Sequence, residues 1–238
     1  MQRPQRGVRR RNKKSRMKIK LAHILTETSH EREIESMKSL SPLGNLGIQY
    51  IPQINERYVG EEYKHHLPVY TGNHGPGHYG AFQSFRKAVL ENFTEDVDVF
   101  VLCECDCVLK VEQSVFVDLV KEANKLCKEN LINYVSFGSA YIGDNLQSPV
   151  FDDSNLYGSF YLTDKIIMTH CIMFPRHSRE YLLSHLSRNT WDAVDIWLNY
   201  IFRSTTNPPP KRFAILREPA AIQYEGISLL DNVWKGMQ

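Results

Sequence analysis

DVDVFVLCECDCVLKV, residues 96–111, predicts a buried β-strand that ends in acidic residues. Alternate side chains of a strand point to opposite faces. Both faces of this strand are apolar, one with Val97, Val99, Val101 and Cys103 and the other with Phe100 and Leu102. Such a strand is typical of the centre of a sheet that is covered on both sides.

Two carboxylates, Glu104 and Asp106, follow directly after the apolar run. Residues two apart in an extended chain point to the same face, so this pair is expected to hold one cation. Open α/β sheets bind their ligands beyond the carboxyl ends of the strands, which favours a metal site over a merely solvated strand end. Carboxylate oxygens suit Mg²⁺ or Mn²⁺, which are often shared with a phosphate.

The cysteines offer an alternative, because Cys103, Cys105 and Cys107 would share one face of the same extended chain. A tetrahedral zinc site usually takes paired ligands from two segments, whereas Cys127 and Cys171 are isolated in the sequence. Buried apolar thiols are therefore the preferred interpretation. The odd total of five cysteines argues against a disulfide framework and favours a reducing compartment.

Composition predicts one globular domain, since 238 residues that are 42% hydrophobic and 24% charged can bury a full core. The net charge of +2 conceals a basic first segment in which no acid occurs before Glu27. Residues 1–16 are predicted to be a disordered basic tail, and residues 17–238 a single domain. The tail is either an electrostatic arm for nucleic acid or anionic lipid, or a solvated extension.

The membrane and export patterns are both missing from the sequence. No apolar run reaches the length that spans a bilayer, and the basic segment is not followed by the uncharged apolar stretch of a secretory signal. A cytoplasmic location is the resulting expectation.

Strand and helix patterns alternate along the chain, which predicts the α/β class. KIKLAHIL, residues 18–25, predicts a first strand with Thr26 and Glu27 after its carboxyl end. GIQYIPQIN, residues 47–55, predicts a second strand that Pro52 confines to a sheet edge. Predicted helices cover 29–40, 80–93, 113–130, 178–186 and 190–202, and other predicted strands lie at 133–140 and within 159–176.

Residues 56–80 contain too many Gly, Pro and His residues for a regular element and are predicted to form a long loop. His65, His66, His74 and His78 lie in this loop. Surface positions are preferred to metal binding for these four side chains.

Several local segments resemble those of one enzyme family. GHYGAFQSFRKAV resembles a Gly-rich segment that opens a Ser-His helix, with Phe85 after Ser84 in place of the histidine. VLCECDCVL resembles an aliphatic strand that ends in Glu-Asp-Asp, with Cys105 between the outer acids Glu104 and Asp106. THCIMFPRHSREYLLSHL, DAVDIWL and PAAIQYEGIS resemble later segments of the same family. Over residues 17–232, the chain thus resembles glycosyltransferase family 25, the lipooligosaccharide and collagen sugar-transferase group of the GT-A type.

This resemblance implies a three-layer α/β/α fold of the GT-A type with a mostly parallel central sheet. The length of the chain suits a minimal, single-domain member of the family, such as a viral one. It also implies transfer of a hexose from a nucleotide sugar, a UDP-sugar, to an acceptor hydroxyl with the help of Mn²⁺ or Mg²⁺. The metal ligands would be Glu104 and Asp106. The donor contacts would be Thr26, Glu27, Glu104, Ser84 and Gln223.

Asp195 aligns with an acid of the family and is the candidate catalytic base, with Asp192 as a second catalytic candidate. A carboxylate near the start of a helix is electrostatically tolerated there. The alternative is that the two aspartates, three residues apart, form a helix cap. No histidine follows His185, so the late histidine ligand common in this fold class is missing. The metal is therefore expected to be held by carboxylates, water and the donor diphosphate.

Two other classes of function remain open on the sequence. A pair of carboxylates at a strand end also suits a metal-dependent nucleotidyltransferase or nuclease. A non-enzymatic nucleic-acid-binding protein would use the basic arm on an inert scaffold. For a transferase, the acceptor is a glycan, a protein or modified DNA, and the sequence leaves the oligomeric state open.

Overall fold

The computed structural model describes residues 16–26, 31–55, 67–68, 76–138, 153–163, 169–188, 190–202 and 213–224. The helices are α1 (Glu31–Leu40), α2 (Pro76–Asn92), α3 (Gln113–Asn130), α4 (Arg179–Leu186) and α5 (Val194–Phe202). The first six strands are β1 (Ile19–Thr26), β2 (Ile48–Asn55), β3 (Leu67–Pro68), β4 (Val99–Cys103), β5 (Cys107–Leu109) and β6 (Tyr134–Ser136). The other strands are β7 (Leu156–Tyr157), β8 (Phe160–Thr163), β9 (Cys171–Pro175), β10 (Thr190–Trp191), β11 (Phe213–Leu216) and β12 (Ala221–Gln223).

A central sheet runs in the order β2-β1-β4-β9-β6-β11-β8-β7. The parallel pairs are β1 with β2, β1 with β4, and β6 with β11. Strand β9 is antiparallel to both β4 and β6, and β8 is antiparallel to both β11 and β7. All the other strands of the sheet therefore point the same way, and the predicted α/β class with a mostly parallel sheet is confirmed.

Helices cover both faces of this sheet, as predicted for a three-layer α/β/α architecture. One buried cluster joins α3 and the end of α1 to the face that carries Val99, Val101 and Cys103. The other cluster joins α2, α4 and α5 to the face that carries Phe100 and Leu102. All five residues of β4 are buried, and full burial of such a side chain contributes about 1.5–3 kcal/mol. The predicted central strand is therefore confirmed as the middle of the core.

The positions of Pro52 and Val97 follow from the local geometry of their strands. Strand β2 lies at one edge, where Pro52, which has no N–H to donate, was predicted to place it. Val97 precedes β4 and packs with the cluster of Phe100, not with that of Val99, because the regular alternation begins only at Val99.

Some sequence predictions lie outside the described residues. These include the predicted basic tail over residues 1–16 except Arg16, most of the loop over 56–80 with His65, His66 and His74, and Glu27. His78 is described and lies in the first turn of α2, which begins four residues earlier than predicted. No helix in the described part of the chain has both the length and the apolar character needed to cross a bilayer.

His23 in β1 gives the fold a built-in pH dependence. Its side chain is fully buried, with Nδ1 2.8 Å from the Tyr50 hydroxyl and Nε2 2.9 Å from the Ser36 hydroxyl. Burial lowers the pKa of His23 from 6.5 to about 4. The unfolded chain therefore binds a proton near pH 6.5 that the folded chain takes up only near pH 4.

The neutral imidazole of His23 is expected to stabilise the fold fully above pH 6.5 and to lose this contribution as the pH falls towards 4. Each pKa unit corresponds to about 1.4 kcal/mol, so the difference of about 2.5 between the two pKa values limits the loss to about 3.5 kcal/mol. Urea unfolding at pH 7.5, 5.5 and 4.5 measures it. The His23→Gln variant should be less stable at pH 7.5 but lose less stability on acidification. Parallel pH curves for the two proteins would contradict the prediction.

Candidate functional site

The candidate site lies where β1 and β4 end side by side. Strand β2 lies on one side of β1, and β4 lies on the other side. The strand order therefore reverses at β1, and the crevice between β1 and β4 is a topological switch point. After Cys103 the chain turns, because the N–H of Cys107 donates to the carbonyl of Glu104 at 3.1 Å. The extended geometry predicted through residues 104–106 is therefore wrong. The turn nevertheless keeps both acids at the sheet edge.

Glu104 is held by the chain that enters β9. Its Oε1 accepts a hydrogen bond from the Thr169 hydroxyl at 2.7 Å, and its Oε2 lies 3.4 Å from Nδ1 of His170. The backbone N–H of Glu104 donates to the carbonyl of His170 at 2.9 Å, which continues the β4–β9 ladder by one residue. The side chain remains 37% exposed. It is thus fixed in position while part of it faces solvent.

Asp106 is more deeply buried and is held by the last described segment. Gln223 lies opposite Cys107 in the β5–β12 pair, and its Nε2 donates to Oδ2 of Asp106 at 2.8 Å. Nη1 of Arg32 lies 3.9 Å from the same oxygen, and the N–H of Tyr224 donates to the Asp106 carbonyl at 2.7 Å. The other carboxylate oxygen, Oδ1, is buried and makes no hydrogen bond within the described part of the chain.

His170 completes a set of three candidate metal ligands. One ligand atom from each of Glu104, Asp106 and His170 lies within 4.8 Å of the other two. Asp106 Oδ1 and His170 Nε2 are both buried without a hydrogen-bond partner among the described residues, which typically costs about 1–3 kcal/mol for each group. A cation bound between them would remove this cost. Two carboxylates with one imidazole suit a divalent cation such as Mn²⁺, so these residues fit the predicted metal.

The three side chains shift one another's protonation. Burial acts to raise the pKa of Glu104, but the hydrogen bonds and charge of its neighbours His170 and Thr169 outweigh it and the pKa is lowered. Burial and the nearby charge of Glu104 raise the pKa of Asp106. Burial opposes protonation of His170, but Glu104 outweighs it and raises the pKa of the imidazole. The site therefore favours added positive charge, first as a proton on His170 and more fully as a divalent cation.

The first turn of α1 brings further polar groups to the same edge. The Arg32 guanidinium is 10% exposed, and its 3.9 Å separation from Asp106 exceeds hydrogen-bonding distance. Glu33 is buried and accepts hydrogen bonds from both the N–H and the hydroxyl of Thr26 at the end of β1. Thr26, a predicted donor contact, thus lies at the switch point and ties β1 to α1.

Asp192 and Asp195 lie around the start of α5. Asp192 is fully buried, and its Oδ1 accepts from the N–H of Ala193 at 2.8 Å. Asp195 is half-buried in the first helical turn, and its Oδ1 accepts from the N–H of Ile196 at 2.9 Å. Burial, followed by the charges of Asp195 and Glu104, raises the pKa of the Tyr134 phenol well above its usual value. Asp195 and Glu104 therefore both act electrostatically on one buried hydroxyl.

The remaining predicted donor contacts are distributed unevenly. Gln223 is at the acids, through its hydrogen bond to Asp106. Ser84 lies half-buried in the middle of α2 and forms no hydrogen bond to either acid among the described residues. Glu27 lies outside the described residues.

The cysteines are arranged differently from the prediction. Cys171 is not isolated, because its sulfur and those of Cys103 and Cys107 lie within 4.8 Å of one another. Cys105 does not join them, since the turn at 104–106 ends the alternation that would have put it on their face. Burial and the charge of Asp106 raise the pKa of Cys105 to about 12, which makes it a poor nucleophile at neutral pH.

Sequence reasoning did not assign His170 or Arg32 to the metal site. His170 precedes β9, and only the antiparallel pairing of β9 with β4 brings it to Glu104. Arg32 looked like part of a helix start, and its distance from Asp106 depends on the packing of α1. The one local signal was the polar pair Thr169-His170 directly before an apolar strand. The acids of the site occupy the corresponding position directly after β4.

Comparison with known proteins identifies no family for this chain. No protein-family profile matches the sequence. No curated protein matches it either.

Several solved structures follow a similar chain path. The crystal structure of A197 from STIV is 16% identical with a TM-score of 0.47, over 89% of this chain and 87% of that one. A glycosyltransferase involved in the glycosylation of the major capsid of PBCV-1 is 10% identical with a TM-score of 0.45, over 93% of this chain and 100% of that one. The galactosyltransferase LgtC, in complex with donor and acceptor sugar analogs, is 8% identical with a TM-score of 0.40, over 87% of each chain. At these identities and scores, the likeness does not establish a shared activity.

Proposed function

We propose that this protein is a glycosyltransferase that moves a hexose from a nucleotide sugar, a UDP-sugar, to an acceptor hydroxyl. The observation that carries the proposal is the set of Glu104, Asp106 and His170 at a topological switch point. Nucleotides bind at such points in open α/β sheets, and a divalent cation beside them binds diphosphate oxygens. The resemblance of the sequence to glycosyltransferase family 25 supports the same reaction.

Glu104, Asp106 and His170 would hold the Mn²⁺ or Mg²⁺. When bound, the cation neutralises negative charge on the departing diphosphate as a Lewis acid. Thr169 and Gln223 orient the two carboxylates by their hydrogen bonds, so that little reorganisation is needed on binding.

Arg32 adds a second positive charge beside the diphosphate. The 3.9 Å between its Nη1 and Oδ2 of Asp106 exceeds hydrogen-bonding distance, so this ion pair is not closed by a hydrogen bond. A guanidinium can make bidentate hydrogen bonds to phosphate oxygens. Arg32 would therefore bind a phosphate oxygen and stabilise the charge that develops when the sugar–phosphate bond breaks.

Asp195 is the proposed base that accepts the proton of the acceptor hydroxyl. It is half-buried in the first turn of α5, so its carboxylate is held by the helix while part of it faces solvent. Asp192 is fully buried, so a supporting role at the start of α5 suits it better than direct contact with substrate. Thr26 at the end of β1, and Glu27 and Ser84 as the sequence predicts, remain the proposed contacts to the donor.

The test is nucleotide release by the full chain from a panel of UDP-, GDP- and CMP-sugars, with Mn²⁺, with Mg²⁺ or with a chelator. A glycan, a protein and DNA with hydroxylated bases serve as acceptors. We expect release from one donor only when the metal is present, and faster release with the correct acceptor. No turnover of any sugar nucleotide together with metal-dependent DNA cleavage would overturn the proposal in favour of a nuclease.

Glu104→Gln is expected to reduce turnover by at least about 10–100-fold, because loss of a group that only orients a metal ligand already has an effect of this size. The amide keeps the size of the side chain and can still accept from Thr169, but it removes the negative charge and weakens the attraction to His170. Steady-state kinetics over a range of Mn²⁺ concentrations measures the effect, which should be partly rescued by more Mn²⁺. Unchanged kinetics at every metal concentration would contradict a role for Glu104 at the metal.

A further inference from the structure

Three buried cysteines form a cluster beneath the acids. Cys103 ends β4, Cys107 begins β5 and Cys171 begins β9, and each side chain is fully buried. Their sulfurs lie within 4.8 Å of one another, and the Cys103 and Cys171 sulfurs are 3.5 Å apart. All three are free thiols. Neither the proposed sugar transfer nor its metal uses them.

The distances between the three sulfurs fit a single cation bound by all of them better than they fit a disulfide bond. Zinc–thiolate bonds of about 2.3 Å in tetrahedral geometry place sulfurs roughly 3.8 Å apart. The 3.5 Å between Cys103 and Cys171 is close to this value, and the 4.8 Å limit on the other pairs requires only small side-chain shifts. A disulfide requires about 2.05 Å between two sulfurs and would leave Cys107 without a role.

Each of the three cysteines is the direct sequence neighbour of one residue of the acidic site. Cys103 precedes Glu104, Cys107 follows Asp106, and Cys171 follows His170. The oxygen and nitrogen ligands gather in one cluster at the strand ends, and the sulfur ligands gather in another within the apolar core. Hard cations prefer carboxylate oxygens and soft cations prefer thiolates, so the two clusters select different ions.

We propose that Cys103, Cys107 and Cys171 bind one thiophilic d¹⁰ cation, Zn²⁺ or Cu⁺, as thiolates. Each thiol gives up its proton when the cation binds, so three protons leave the core. The bound ion joins β4, β5 and β9 and so fixes both ends of the turn that carries Glu104 and Asp106. Its role is structural, and it does not depend on which reaction the acidic site performs.

Metal content of the purified full chain, measured by mass spectrometry, tests this inference. We expect about one equivalent of zinc or copper per chain, and the element found decides between Zn²⁺ and Cu⁺. Cys171→Ser should reduce the content at least tenfold. Cys127→Ser is the matched control, because Cys127 is also buried and free but lies in α3 outside the cluster. Asp106→Asn should retain the bound soft metal, which separates this site from the acidic one.

A second measurement works on the unmodified protein, in case the serine variant fails to fold. Added Cd²⁺ should produce an ultraviolet thiolate-to-cadmium charge-transfer band that saturates at one equivalent, and it should protect three cysteines from alkylation. Absence of both bound metal and the cadmium band would overturn the inference. A disulfide between Cys103 and Cys171, detected by peptide mapping without reduction, would also overturn it, as would loss of the soft metal in Asp106→Asn.

Discussion

Asp106→Asn is expected to reduce sugar transfer about 100–1,000-fold, the range typical for removal of one preorganised group that stabilises transition-state charge. Asp106 is the more buried acid of the site, and its Oδ1 has no hydrogen-bond partner among the described residues. The asparagine removes the negative charge from this position while its amide oxygen can still accept from Gln223. Calorimetric titration of donor with Mn²⁺, together with turnover, measures the loss.

The melting temperature of Asp106→Asn separates a functional loss from unfolding. Burial and the charge of Glu104 raise the pKa of Asp106, so the folded, metal-free protein pays a penalty for ionising it at neutral pH. The uncharged asparagine avoids that penalty, and the variant should melt no earlier than the parent without metal. Asp118→Asn is the matched control, because Asp118 is an exposed acid on α3. Unchanged donor affinity and turnover in Asp106→Asn would refute its role at the metal.

Asp195→Asn is expected to lower kcat by about 100-fold or more, with little change in donor affinity. General-base catalysis contributes about 10²–10⁴-fold, and an amide cannot accept the proton of the acceptor hydroxyl. The amide oxygen can still accept from the N–H of Ile196, so the start of α5 should be preserved. Rapid-quench measurement of a single turnover, with donor affinity measured separately, tests the prediction.

The pH profile distinguishes a base from a helix cap at Asp195. The parent should gain activity as the pH rises through the pKa of its base, and this ascending limb should disappear in Asp195→Asn. A variant that melts much earlier but keeps its rate once folded would show that Asp195 is only a cap.

Regular elements and their layering were predictable because their signals are local. The apolar spacing of residues 113–130 predicted α3 with the same bounds that the structure shows. Apolar side chains on both faces of β4 predicted a strand covered on both sides, and Pro52 predicted an edge strand. These patterns depend on the 3.6-residue and two-residue repeats of helix and strand.

The composition of the candidate site was only half predictable, because pairing between distant segments has no local signal. The acids were found from their position after β4. His170 arrives through the antiparallel insertion of β9 between β4 and β6, and Cys171 joins the other cysteines by the same pairing. The turn at Glu104–Asp106 also ends the alternation of faces from which Cys105 was predicted to lie beside Cys103 and Cys107.

Asp106 and Gln223 are hydrogen-bonded in the fold but lie 117 residues apart in the sequence, so the ribosome makes them at different times. A ribosome adds about 5–20 residues per second, so the acids are made roughly 6–23 s before the glutamine that orients one of them. The nascent chain carries β1, β2 and β4 throughout this interval, but it gains His170 only after 64 further residues and Gln223 only at the end. On the proposed function, a divalent cation would therefore be bound only late in translation or after release, because a chain that stops before β9 lacks His170.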